Sequence, residues 1–186
     1  MNLTAAEFLN PPILLAGAVD YNMYNVFRSQ LLAAPLEGNV FVELTTLGGD
    51  PEVARMMGED IRFHSEVEPQ RRFIFLGKAA IYSAGTTFMG FFAKENRYLT
   101  RGTRLMVHER QLTKTINLAG PLSTCLTELQ GTVHEIEASM KIQEEGFANL
   151  IQGTSLTLDE VRAKAATNWY IEADEALSLG LIHQVI

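Results

Sequence analysis

The sequence has a single cysteine, Cys125, so no disulfide can form within the chain, and sparse cysteine fits a reducing compartment. Basic residues are also scarce: 15 Lys and Arg stand against 22 Asp and Glu, a formal net charge of −7. A chain so charged has no cationic footprint for nucleic acid or for an anionic membrane surface. Long apolar runs are missing too. The longest, Phe88 to Ala93, falls far short of the roughly 20 residues that cross a bilayer as a helix. The first residues, MNLTAAEFLNPP, lack a basic stretch followed by a long apolar one, so no signal peptide is expected. There is no repeat, low-complexity tract or linker. No metal site and no cofactor motif is expected. What remains is an ordinary globular balance, 47% hydrophobic and 20% charged over 186 residues. That suits one cytoplasmic domain, residues 1–186, with a full core.

Strand and helix signals alternate along the first half. PILLAG, Pro12 to Gly17, reads as a short buried strand. Asp20 caps a helix from Tyr21 to about Ala34, with an apolar stripe of Met23, Val26, Phe27, Leu31 and Leu32. NVFVELT, Asn39 to Thr45, is the next strand. It runs into TTLGGDP, a glycine turn followed by Asp50 as N-cap and Pro51 at the first position of a helix to about His64. RFIFLG, Arg72 to Gly77, is a third strand. Ser83 follows a short loop and precedes a helix expected over Ala84 to Lys94. Short strands at Arg97–Leu99 and Arg104–Val107 come next, and His108 stands at the end of the second. This order points to βαβ crossovers and a mainly parallel sheet.

The last third differs. Between Pro121 and Gly153, Leu122, Leu126, Leu129, Val133, Ile136 and Met140 repeat at spacings of four and three. Gln143 interrupts the stripe, and Phe147 and Leu150 resume it. About 30 residues of helix span roughly 45 Å, long for one domain. The stripe suggests a partner subunit, against the alternative that the helix lies on its own domain. Thr157 and Glu160 make a capping box for a short helix. Asp174 to Leu179 reads as another helix, and Leu181 to Ile186 as a final strand.

Ser83 is the one plausible nucleophile in GKAAIYSAGTTFM. A serine hydroxyl needs a base and needs donors for the oxyanion that acyl transfer creates. Taken alone, Ser83 reads as a helix cap. LGGD adds adjacent glycines between a strand and a helix, where an amide can turn towards a ligand. His108 adds a base at the carboxyl end of a strand, where parallel sheets place their sites. His64, His134 and His183 lie in a polar helix end, the long helix and the terminal strand. The elbow G-x-S-x-G is absent, since Ile81 stands where its first glycine would be. Lys78 offers a weaker alternative as a base, against a place facing solvent.

Five segments in this order resemble the ClpP family of serine peptidases, from about Leu14 to Ile186. GAVDYNMYNVFRSQLL resembles its first strand and helix, and LTTLGGD its I-N-S-P-G-G turn, with Leu47 in place of proline. YSAGT resembles its nucleophile segment, RLMVHE its R-x-M-I-H-Q and EALSLGLI its E-A-x-x-x-G-L-I/V. The resemblance implies an α/β crotonase-like spiral of βαβ units. Its core is expected over about 12–118 and 154–186, with a protruding handle helix over about 121–152. It implies Ser83 as nucleophile, His108 as general base, and the amides of Gly49 and Ala84 as the oxyanion hole. Peptide or unfolded protein would lie extended beside Gly48 to Asp50 and Gln111, Leu112 and Thr113. Paired heptameric rings would stack through the handle.

Two departures stand out. Counting back from EALSLGL, the family's triad aspartate falls on Asn168, which supplies an acceptor oxygen but no charge; Glu109, Glu172 and Asp174 are candidate substitutes. Only about eleven residues precede the first strand. The family's axial loop, which contacts an unfoldase ATPase, is not expected in so short a stretch, which leaves that partner unsupported. Three readings follow: a Ser-His peptidase, a ring scaffold that lost its chemistry through Asn168, and an acyl-CoA enzyme of the crotonase fold. Ser83 and His108 weigh against the third.

Overall fold

A computed structural model describes residues 3–186. Its seven-stranded sheet is built from β1 (Ile13–Ala16), β2 (Gly38–Thr46), β3 (Arg71–Tyr82), β4 (Arg97–Leu99), β5 (Arg104–Val107), β6 (Trp169–Glu172) and β7 (Gln184–Val185). Strands run in the order β1-β2-β3-β4-β7, while β5 pairs with β3 and β6 with β5. All pairs are parallel except β5 with β6. Six α-helices accompany them among the described residues: α1 (Tyr21–Ala33), α2 (Pro51–Val67), α3 (Ala84–Met89), α4 (Leu122–Ile151), α5 (Leu158–Ala165) and α6 (Ala173–Ser178). This is the mixed α/β fold with parallel strands that the segment order implies.

β3 carries the departure that matters most. The sequence suggests a strand ending at Gly77, then a loop. Instead the strand continues through a register shift against β2 to Tyr82. Ala79 takes a φ of +59° at the irregularity. The strand thereby changes neighbours: Phe75–Gly77 pair with β4, and Ala80–Tyr82 pair with β5. The second half of β3 delivers Ser83 directly beside β5, the strand that His108 follows.

Other boundaries also shift. α3 stops at Met89 with Gly90 as its C-cap, short of Lys94. The last strand shrinks to Gln184–Val185. In α1 only Met23, Phe27 and Leu31 are buried, whereas Val26 and Leu32 face outward. The apolar stripe is thus wider in the sequence than the face the sheet covers. Asp20 and Asp50 cap α1 and α2 as expected, accepting from the backbone N–H groups of Met23 and of Glu52 and Val53. Thr157 and Glu160 form the capping box of α5.

α4 extends over 30 residues but is buried only at Phe147, Leu150 and Ile151, near its C-terminal end. Leu122 and Leu126 are 87% and 56% exposed. The end of α4 is anchored by Arg97, which is 1% exposed. Its guanidinium donates to five backbone carbonyls, those of Gly90, Phe92, Asn149, Leu150 and Leu181. Burial pushes its pKa down to about 10, still far enough above neutrality to keep it charged. One side chain therefore ties together the ends of α3 and α4 and the C-terminal segment. No helix among the described residues is long and apolar enough to cross a membrane.

Candidate active site

Ser83 Oγ lies 2.6 Å from His108 Nε2. With that nitrogen unprotonated, the hydroxyl donates to it. Ser83 sits between the end of β3 and the start of α3 at φ +53°, a conformation that a non-glycine residue adopts at a cost of about 1–3 kcal/mol. Its own N–H donates to the Met106 carbonyl, fixing it to β5. Its carbonyl accepts from the N–H groups of Thr86 and Thr87 and from the Thr86 hydroxyl. A strained residue held by several bonds is the arrangement in which strain persists at functional sites.

Both residues open onto a cavity of about 490 Å³. Gly49 and Ala84 line it as well. Among the described residues, no hydrogen bond consumes the N–H of Gly49 or that of Ala84. In the glycine turn the Val19 N–H donates to the Gly48 carbonyl, and the Asp50 N–H donates to the Val19 carbonyl. That pairing passes over the Gly49 N–H and leaves it free. The glycines are needed here. Gly48 has φ +112°, and a Cβ on it would stand 3.0 Å from Ser83 Cβ. Gly49 has φ +151°, and a Cβ there would stand 2.3 Å from the Val19 carbonyl oxygen.

Gln111 and Leu112 line the cavity, together with Met140 and Phe147 of α4; Gly48, Asp50 and Thr113 are not on its wall. Asp50 is occupied as the cap of α2. Lys78 does not line the cavity either; its ammonium pairs with Glu43 at 2.6 Å. Arg55, Arg110 and Gln143 do line it. Sequence reasoning passed over all three, because charged and amide residues on a helix or after a strand read as solvated surface.

Asn168 occupies a turn at φ +61°, just before β6. Trp169 pairs with Val107, so Asn168 stands one step beyond the ladder, as His108 does on β5. Its side chain is exposed, and among the described residues it makes no hydrogen bond to His108. The other candidates are no nearer to serving His108. Glu172 is at the far end of β6 and pairs with Arg104 at 2.6 Å. Among the described residues, neither Glu109 nor Asp174 accepts a hydrogen bond from the imidazole. Among the described residues, no group of three or more His, Cys, Asp or Glu side chains gathers in a way that could hold a metal ion.

The Clp protease family model matches residues 4–186. The chain belongs to the Clp protease family. A similar protein is the ATP-dependent Clp protease proteolytic subunit 2 of Pseudomonas aeruginosa. It is 26% identical over 176 residues, which cover 94% of this chain and 80% of the relative. Within this Clp protease family chain, the match runs through the glycine turn, Ser83, His108, α4 and the closing segment alike.

Proposed function

We propose that the chain is a serine peptidase that cleaves peptides or unfolded chains through an acyl-enzyme. Ser83 Oγ attacks the scissile carbonyl while His108 Nε2 takes its proton. The carbonyl π electrons move onto oxygen, and the N–H groups of Gly49 and Ala84 receive that charge. The amide C–N bond then breaks, and His108 returns the proton to the leaving amine. Water repeats the sequence to release the acid. The observation that carries this reading is the 2.6 Å contact between Ser83 and His108 at a strained serine facing the cavity. Asn168 is proposed as the third member, its side-chain oxygen accepting from His108 Nδ1–H once the side chain turns inward. Extended substrate would run past Gly48 to Asp50 on one side and Gln111 to Thr113 on the other.

The exposed stripe on α4 supports assembly. Leu122, Leu126, Leu129 and Val133 are exposed in the single chain, as are Ile136 and Met140, which also line the cavity, and an apolar surface of that length favours association. Homo-oligomeric rings, heptameric and stacked through α4, are the proposed form, in the cytoplasm.

A second reading, a ring scaffold without turnover, has one observation in its favour: no carboxylate meets His108 among the described residues. Fluorophosphonate separates the two. The peptidase reading expects covalent labelling of wild type at Ser83 and none in Ser83→Ala. An unlabelled wild type of native fold leaves the scaffold reading.

A further inference from the structure

The chain leaves β5 at Val107, and residues 108–120 have no regular secondary structure. His108 is the first of them, so something must hold the chain just beyond it. Arg110 is tethered twice. Its backbone N–H donates to Gln143 Oε1 of α4 at 2.7 Å, and its Nη2 donates to Glu52 Oε1 at 2.6 Å. Glu52 belongs to the first turn of α2, three residues after Gly49. Its other oxygen accepts from Arg55 Nη1 at 2.7 Å, and Arg55 Nη2 lies 3.9 Å from Glu145 of α4. A polar chain thus leaves α4 at Gln143, runs through Arg110, Glu52 and Arg55, and returns to α4 at Glu145; Gln143, Arg110 and Arg55 line the cavity. Among the described residues Arg110 Nη1 is buried without a partner, and Glu52 is half exposed. The Arg110 side chain is 20% exposed, so its guanidinium is held in one place between the loop after β5 and the first turn of α2.

We propose that Arg110 is a positioning residue that fixes the His108 end of β5 against the α2 turn carrying Gly49. The proposal rests on the peptidase reading. Base and oxyanion donor sit on separate segments, and their spacing must hold while the serine attacks. An error of one ångström in such geometry costs up to about 100-fold in rate.

The test compares wild type with Arg110→Gln, Arg110→Lys, Glu52→Gln and the double variant Arg110→Gln/Glu52→Gln. Turnover of a short peptide ester gives kcat and KM. Hydrogen–deuterium exchange over residues 108–112 reads the tether without needing turnover. Arg110→Gln and Glu52→Gln should each lower kcat about tenfold with KM changed less than about twofold. The double variant should be no slower than either single one, because both remove one contact. Arg110→Lys should recover part of kcat, and exchange over 108–112 should quicken in Arg110→Gln. Should Arg110→Gln not fold, Glu52→Gln reads the same contact from an exposed position. Unchanged kcat, an effect on KM alone, independent single effects or unaltered exchange overturns the proposal. A wild type that fluorophosphonate does not label defeats the peptidase reading separately. Exchange then still decides the tether: quickening supports it, and unaltered protection overturns it.

Discussion

Ser83 Oγ and His108 Nε2 meet at 2.6 Å across 25 residues of sequence because β3 and β5 are parallel neighbours in register. Tyr82 pairs with Met106, and the residue immediately after each strand is one of the proposed catalytic pair. A dyad built this way acts as one unit. Ser83→Ala and His108→Ala should each reduce peptide hydrolysis by at least about 10³-fold, and the double variant should fall no further. Steady-state rates for the three variants check this. Additive losses would mean that the two side chains do not share a step.

The two glycines of the turn should separate folding from chemistry. Gly49→Ala drives a Cβ into the Val19 backbone, and nothing flexible can yield there. It should lower thermal stability by about 1–3 kcal/mol or more. Gly48→Ala meets Ser83 Cβ at 3.0 Å, a contact relieved by moving the nucleophile. It carries its own strain at φ +112°, yet its larger effect should be on the rate of reaction with fluorophosphonate. Calorimetry and labelling rates on the same preparations distinguish the two effects. Equal melting temperatures for wild type and Gly49→Ala would contradict this account of the turn.

Asn168→Asp tests the proposed third position. A carboxylate beside His108 favours the tautomer with the proton on Nδ1 and stabilises the imidazolium. A tenfold gain in rate needs only about 1.4 kcal/mol. Asparagine and aspartate both tolerate the left-handed backbone at φ +61°, so the fold should be indifferent to the change. Hydrolysis of a small peptide ester at pH 8 should therefore rise in Asn168→Asp relative to wild type and Asn168→Ala. Equal rates in all three would show that residue 168 does not reach the imidazole.

Glu68 gives a pH signature for the fold. Hydrogen bonds from Arg71 and then His64 hold its carboxyl below its ordinary value of 4.5. A lowered carboxylate pKa stabilises the folded state above the unfolded value, and that contribution disappears as pH falls through the folded one. Arg71 is buried and also donates to the Leu31 carbonyl at 3.1 Å, linking the end of α1 to the start of β3. Glu68→Gln should lower the melting temperature at pH 7. The gap from wild type should close as pH drops below 4.5. A gap constant with pH would mean that the ion pair contributes nothing through charge.

Much of this protein was legible in order along the chain. Asp20, Asp50 and Thr157 announced helix starts because a cap is a local hydrogen bond between residues two or three apart. The glycine turn, the serine before a helix and the histidine at a strand end were readable for the same reason, and so was the length of α4. Tertiary structure decided what depends on distant partners. β3 runs on to Tyr82 because β5 offers a second edge to pair with, which no local signal encodes. Val26 and Leu32 match the buried positions of α1 in chemistry yet stay outside, since the width of the covering sheet sets which part of a stripe is buried. Arg110, Glu52 and Gln143 come from three separate elements, and each alone reads as surface. Their convergence exists only once the chain has folded, because hydrogen bonds between distant side chains are fixed by packing geometry and leave no period or spacing in the sequence.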